Sequence, residues 1–177
     1  KTVIAALSAL LTAKGGGQAA FMAPTEVLAR QHYQTINKLF APILDRLDIE
    51  VGLLISGLGT KAKKETLEKT SSGAIKILIG THALIQKNVR FRSLGLVIVD
   101  EQHRFGVEQR ATLVGTANLL PHFLSMSATP IPRTLSLTIF GDLDLSIIDE
   151  LPKGRANIVT KIVAPANRDK AYAFVRD

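Results

Sequence analysis

Two adjacent carboxylates, Asp100 and Glu101, close the apolar run Leu94-Gly95-Leu96-Val97-Ile98-Val99 and are followed by Gln102 and His103. An apolar run that short reads as a strand buried on both faces inside a parallel sheet. Acids at the carboxyl end of such a strand sit in the crevice where open α/β sheets take their ligands. The chemistry that uses two acids there is nucleotide hydrolysis: one holds Mg2+ through its water shell, and the next positions or activates the attacking water. A strand ending in a solvated acidic turn has the same pattern, so the rest of the chain must decide.

Other candidate groups lie at the starts of helices and the ends of strands. Lys1-Thr2 opens a helix. A phosphate-binding loop ends in Gly-Lys-Thr with its helix starting there, which would let Lys1 reach the terminal phosphates and the Thr2 hydroxyl ligate Mg2+. Lys-Thr is a common pair and means nothing alone, and the glycines of such a loop are missing from the sequence. Pro24-Thr25-Glu26, with Arg30 one turn on, follows a strand and opens a helix. A hydroxyl and free N–H groups there suit a DNA or RNA phosphate, or simply cap the helix. Gly80-Thr81-His82 and Ser127-Ala128-Thr129 repeat the arrangement after two more strands. His82 and His103 have no companion at ligand spacing, so metal chelation by histidine is discounted. Four separated strand ends carrying hydroxyls, carboxylates or histidine, all on one edge of a sheet, form a constellation that none makes alone.

The elements that must position these groups follow from periodicity and punctuation. A helix is predicted from Lys1 to Lys14, with apolar residues at 3, 4, 7, 10 and 11 and a stop at Gly15-Gly16-Gly17. Strands are predicted at 18–23, 49–55, 75–79, 94–99, 123–127 and 143–148, and helices at 24–40, 61–70, 107–114 and from Pro132 to Phe140. In the 61–70 helix, Lys61, Lys63, Lys64 and Lys69 alternate with Glu65 and Glu68, which reads as a solvated, salt-bridged face. Arg90, Arg92, Arg104 and Arg110 bracket the acidic strand. Strands alternating with helices predict a parallel α/β sheet with helices on both faces and right-handed crossovers. Glu150 to Arg155 is the expected linker, ending a first domain at 151, while a strand at 158–163 and a helix at 167–176 would open a second domain over 152–177.

Composition narrows the classes. The chain has 177 residues, 46% of them hydrophobic, with a mean hydropathy of +0.21, which is enough for a real core and argues against disorder. No apolar stretch reaches the ~18 residues of a membrane span, and no signal peptide is visible. With no cysteine, disulfides and thiolate metal sites are excluded, as fits a reducing compartment. A net charge of +7 and a pI near 9.9 favour a polyanionic partner. The absence of Trp and the 5% aromatic content argue against base stacking on an aromatic platform.

Taken together, Lys1-Thr2, Ala23-Pro24-Thr25-Glu26, Gly80-Thr81-His82-Ala83-Leu84, Asp100-Glu101-Gln102-His103 and Ser127-Ala128-Thr129 resemble motifs I, Ia, Ib, II and III of superfamily 2 helicases. Asp100 to Arg110, Met126 to Leu135 and Gly141 to Arg155 resemble the RecG-type branch, bacterial ATP-dependent DNA translocases that remodel branched DNA and stalled replication forks. The likeness covers essentially the whole chain. It implies a RecA-like P-loop NTPase domain whose first strand and phosphate-loop glycines are missing here. It also implies ATP and Mg2+ as cofactors, with Lys1 on the terminal phosphates, Thr2 and Asp100 on Mg2+, and Glu101 acting on the water. Gln102 and His103 would couple the nucleotide to Ser127 and Thr129, while Thr25, Arg30 and Thr81 would line the DNA track. The implied partners are branched or forked DNA and, from the same polypeptide, a second RecA-like domain and a wedge domain. A monomer in the bacterial cytoplasm, associated with the nucleoid and not with membrane, is expected. Without the second domain and its arginine finger, the 177 residues alone are expected neither to hydrolyse ATP appreciably nor to unwind DNA. Two alternatives remain: a transcription-repair coupling translocase, which typically carries a different acidic box, and a non-catalytic nucleotide- or DNA-binding module.

Overall fold

The computed structural model describes residues 1–86, 88–100, 120–127, 144–150, 160 and 162–176. Glu101, Gln102, His103 and Thr129, and the helices expected at 107–114 and 132–140, lie outside the described residues. The chain divides into two compact units, 1–130 and 131–177.

In the first unit, five strands form one sheet: β1 (Gln18–Met22), β2 (Glu50–Leu54), β3 (Ile75–Gly80), β4 (Leu94–Asp100) and β5 (His122–Met126). Their order is β2-β3-β1-β4-β5, and every pairing is parallel. The expected α/β architecture is therefore present, and all five carboxyl ends share one edge. The crossovers are α2 (Glu26–Arg46) from β1 to β2 and α3 (Thr60–Ser72) from β2 to β3, while α1 (Thr2–Lys14) precedes β1. β3 to β4 passes through a short 3-10 turn, His82–Ile85.

Two apolar layers sandwich the sheet. Alternate strand residues such as Phe21, Ile77, Ile79, Leu96 and Ile98 face α1 and α2, whereas Met22, Leu78, Val97 and Val99 face the other side, with Ala83 and Leu84 of the 3-10 turn and Leu67 of α3. Helix α2 continues six residues beyond the expected end at 40, through Pro42. An internal proline costs about 3 kcal/mol, but Ile36, Phe40 and Leu44 continue one buried stripe. Burial of Leu44 on that stripe offsets the missing hydrogen bond.

Helix α1 reverses the expectation drawn from its large apolar residues. Ala5, Ala6, Ala9, Leu10 and Ala13 are buried, and Val3, Ile4, Leu7 and Leu11 are exposed. Alanine lets the helix lie close on the sheet, so packing distance rather than hydropathy decides which face turns inward.

The charged face of α3 is as expected, with Lys64–Glu68 and Lys69–Glu65 pairs and an added Lys69–Glu50 pair at 2.8 Å. At the amino edge of the sheet, Gln18 is buried and fully engaged. Its amide donates to the carbonyls of Thr70 and Ile75, and its oxygen accepts from the N–H groups of Arg92 and Ser93.

In the second unit, α4 (Arg168–Arg176) follows a 3-10 turn at Pro165–Asn167 and matches the helix expected at 167–176. The strand expected at 143–148 is not formed: residues 144–150 are irregular, and Leu145, Ile147 and Ile148 are more than half exposed. Alternating hydropathy alone does not make a strand, because its N–H and C=O groups need a neighbouring backbone, and no strand pairs with 144–150 among the described residues. The described part of the 158–163 segment, residues 160, 162 and 163, is also not strand.

Candidate functional site

The carboxyl edge gathers the described candidates Thr25, Thr81, Asp100 and Ser127 because parallel strands end there together. Asp100 closes β4, paired with Met126 of β5, and the side chain of Asp100 is 19% exposed. Period-two alternation puts Asp100 on the same face as Leu96 and Ile98, the face that α1 and α2 cover. There His32 of α2 meets it, with Nε2 2.9 Å from Oδ2. A carboxylate oxygen accepts, so the imidazole N–H donates. The His32 ring is buried and packs on Phe21 of β1, with centroids 4.8 Å apart.

Lys1 lies at the start of α1, and its Nζ donates to the carbonyl oxygen of Ser127 just beyond β5. The structure thus joins two predicted site residues that are far apart in sequence. No side chain caps α1, and its first turn holds no acid.

Thr25 caps α2, its hydroxyl accepting from the Leu28 N–H at 3.3 Å. Arg30 is exposed on the same helix. Glu26 accepts from the Gly57 N–H at 3.1 Å and ties the start of α2 to the loop after β2. Thr81 reaches the same edge but is buried. Its strand ends in Gly80 because a Cβ there would run into the Leu54 carbonyl oxygen. The Gly80 carbonyl in turn accepts from the Ala23 N–H at 2.8 Å, joining the ends of β3 and β1.

Hard oxygen donors and an ammonium group fit a Mg2+–nucleotide chemically. Asp100 would supply the carboxylate and Thr2, half-buried in the first turn of α1, the hydroxyl. His32 was absent from the sequence-derived site. Its only signal was its place on the apolar stripe of α2, with Ala29, Ile36 and Phe40, where a polar ring is out of character.

The sequence model of DEAD/DEAH box helicases matches residues 1–138. The chain belongs to the DEAD/DEAH box helicase family. The ATP-dependent DNA helicase RecG of Aquifex aeolicus (strain VF5) is 49% identical, covering 100% of this chain and 22% of that protein. RecG of Bacillus subtilis (strain 168) is also 49% identical, over 99% of this chain and 25% of its own length. The chain thus spans about a quarter or less of these relatives. A RecG structure bound to a three-way DNA junction superposes with a TM-score of 0.78 at 41% identity, covering 98% of this chain and 22% of that one. A hypothetical ATP-dependent RNA helicase from Sulfolobus tokodaii, 18% identical, shares the fold with a TM-score of 0.58 over 81% of this chain and 43% of its own. These matches make the helicase domain RecA-like. No described helix is long and apolar enough to cross a membrane.

Proposed function

We propose that this chain is the nucleotide-binding part of a RecG-type motor that hydrolyses ATP with Mg2+ to move along DNA and remodel branched or forked substrates in recombination and repair. The observation that carries the proposal is the meeting, at one sheet edge, of Asp100 and the Lys1–Ser127 link at the start of α1, in a helicase domain half identical to RecG along its length.

Lys1 would bind the terminal phosphates, and Thr2 and Asp100 would hold Mg2+, which when bound offsets charge on the phosphoryl oxygens. Glu101 would orient the water. Gln102, His103, Ser127 and Thr129 would report the nucleotide state across the edge. Thr25, Arg30 and Thr81 would line a backbone-reading DNA track: Thr25 and Arg30 are exposed at the start of α2, whereas Thr81 is buried and would need the loop after β3 to move to reach DNA. Residues 1–151 form the first motor domain in this reading and 152–177 lead into the second. Closure of the two domains supplies the rest of the catalytic set and the wedge domain selects the branch.

The test is steady-state ATPase of the intact protein, with and without forked DNA, beside Glu101→Gln. Stimulation of at least about tenfold by the fork, abolished in the variant and falling steeply with salt, is expected. No turnover on any DNA would overturn the motor in favour of a binding module.

A further inference from the structure

His32 lies outside the motif stretches named above, yet it hydrogen-bonds Asp100, and its placement is unusual. His32 occupies a core position of α2, one turn from Ala29 and one from Ile36. An apolar ring would serve packing there equally well, since the ring rests on Phe21. A histidine instead costs desolvation of a polar group, a cost recovered only through a partner. That partner is the Asp100 carboxylate, met from the helix side at 2.9 Å, and His32 is the partner the described residues give it.

We infer that His32 is a positioning residue for Asp100: by donating to Oδ2 it fixes the carboxylate rotamer and so presets the acid that would hold the Mg2+ of a bound nucleotide. The inference rests on the proposed nucleotide site. Ring stacking on Phe21 and burial in α2 hold the donor itself rigid, as a group that orients a metal-binding carboxylate from behind must be. β4 brings the acid, β1 supplies the aromatic floor and α2 supplies the donor, so three elements converge on one carboxylate oxygen.

The experiment is a Mg2+ titration of fluorescent ADP binding to the intact protein, comparing wild type with His32→Phe and His32→Gln. Phenylalanine keeps the ring on Phe21 and removes the donor. Glutamine places an amide near the Nε2 position and removes the ring. Loss of a group that orients a metal ligand typically costs 10- to 100-fold in metal affinity. His32→Phe is therefore expected to raise the half-saturating Mg2+ concentration about tenfold or more, with its melting temperature retained. His32→Gln should stay within about threefold of wild type. If the phenylalanine variant does not fold, His32→Leu takes its place. Wild-type Mg2+ dependence in the donor-less variant overturns the inference, as does a glutamine variant impaired as badly as phenylalanine. Wild-type protein that binds ADP without regard to Mg2+ overturns the underlying site as well, which separates that failure from the failure of His32 alone.

Discussion

Gln18 and His32 are both buried polar side chains in the first unit, and they sit at opposite edges of the same sheet. Gln18 spends all its bonding capacity on backbone: two carbonyls and two N–H groups. It fastens the end of α3, the start of β3 and the approach to β4 into one block. His32 spends its bond on a side chain, and that side chain is a carboxylate at the sheet's ligand edge. The difference teaches how to sort buried polar groups. One saturated by main chain maintains architecture, whereas one aimed at an ionisable side chain at a strand end serves a site. The two edges are correspondingly unlike, one closed by a saturated side-chain amide and the other carrying the His32–Asp100 pair.

The comparison breaks most easily at Gln18. Gln18→Leu removes four hydrogen bonds to backbone groups, each worth about 1 kcal/mol, although the Thr70 carbonyl keeps the Gly73 N–H. A loss of about 4 kcal/mol in urea unfolding is expected, while the protein that remains folded keeps its nucleotide affinity. A small stability change there would sink the architectural role. Asp100→Asn should do the opposite. ATP turnover of the intact protein falls at least about 100-fold, yet the unfolding midpoint stays near wild type. Gly80→Ala tests the ligand edge sterically. Its Cβ meets the Leu54 carbonyl oxygen, so β2 and β3 must separate, and a loss of about 2 kcal/mol is expected by thermal unfolding. The smallest effect belongs to the surface of α3. Hydrogen bonds to Glu50 and then Glu65 raise the pKa of Lys69 above its ordinary 10.5. The ammonium's contribution to stability is full below pH 10.5 and is lost as pH rises through the raised value. Lys69→Met should therefore be slightly less stable at pH 7, and the gap should close in strongly alkaline buffer.

Much of the molecule was legible beforehand because buried parallel strands are near-continuous apolar runs. Leu94 to Asp100 and Ile75 to Gly80 could be bounded closely from sequence, and their parallel arrangement explains why Thr25, Thr81, Asp100 and Ser127 share an edge. Three features were not legible, each for a different reason. Helix α1 turns its alanines inward because close approach outweighs hydropathy. Residues 144–150 alternate like a strand without a partner among the described residues. His32 reads as one more core position until β4 is docked beside α2, since nothing local links residues 32 and 100.

The strand order carries a consequence for how the chain is made. β1 pairs with β3 and β4 and never with β2, so Ala19 meets Ile77 and Leu96 only after all the intervening sequence has been synthesised. At translation rates of about 5–20 residues per second, β1 and α1 wait several seconds on the ribosome before the centre of the sheet can close. The face of α1 that the folded unit buries, Ala5, Ala6, Ala9, Leu10 and Ala13, and both faces of β1 lack part of their cover throughout that interval. Such long-range closure is slow as well as late. The site closes later still, because Ser127, which accepts from Lys1, follows β5 in the chain.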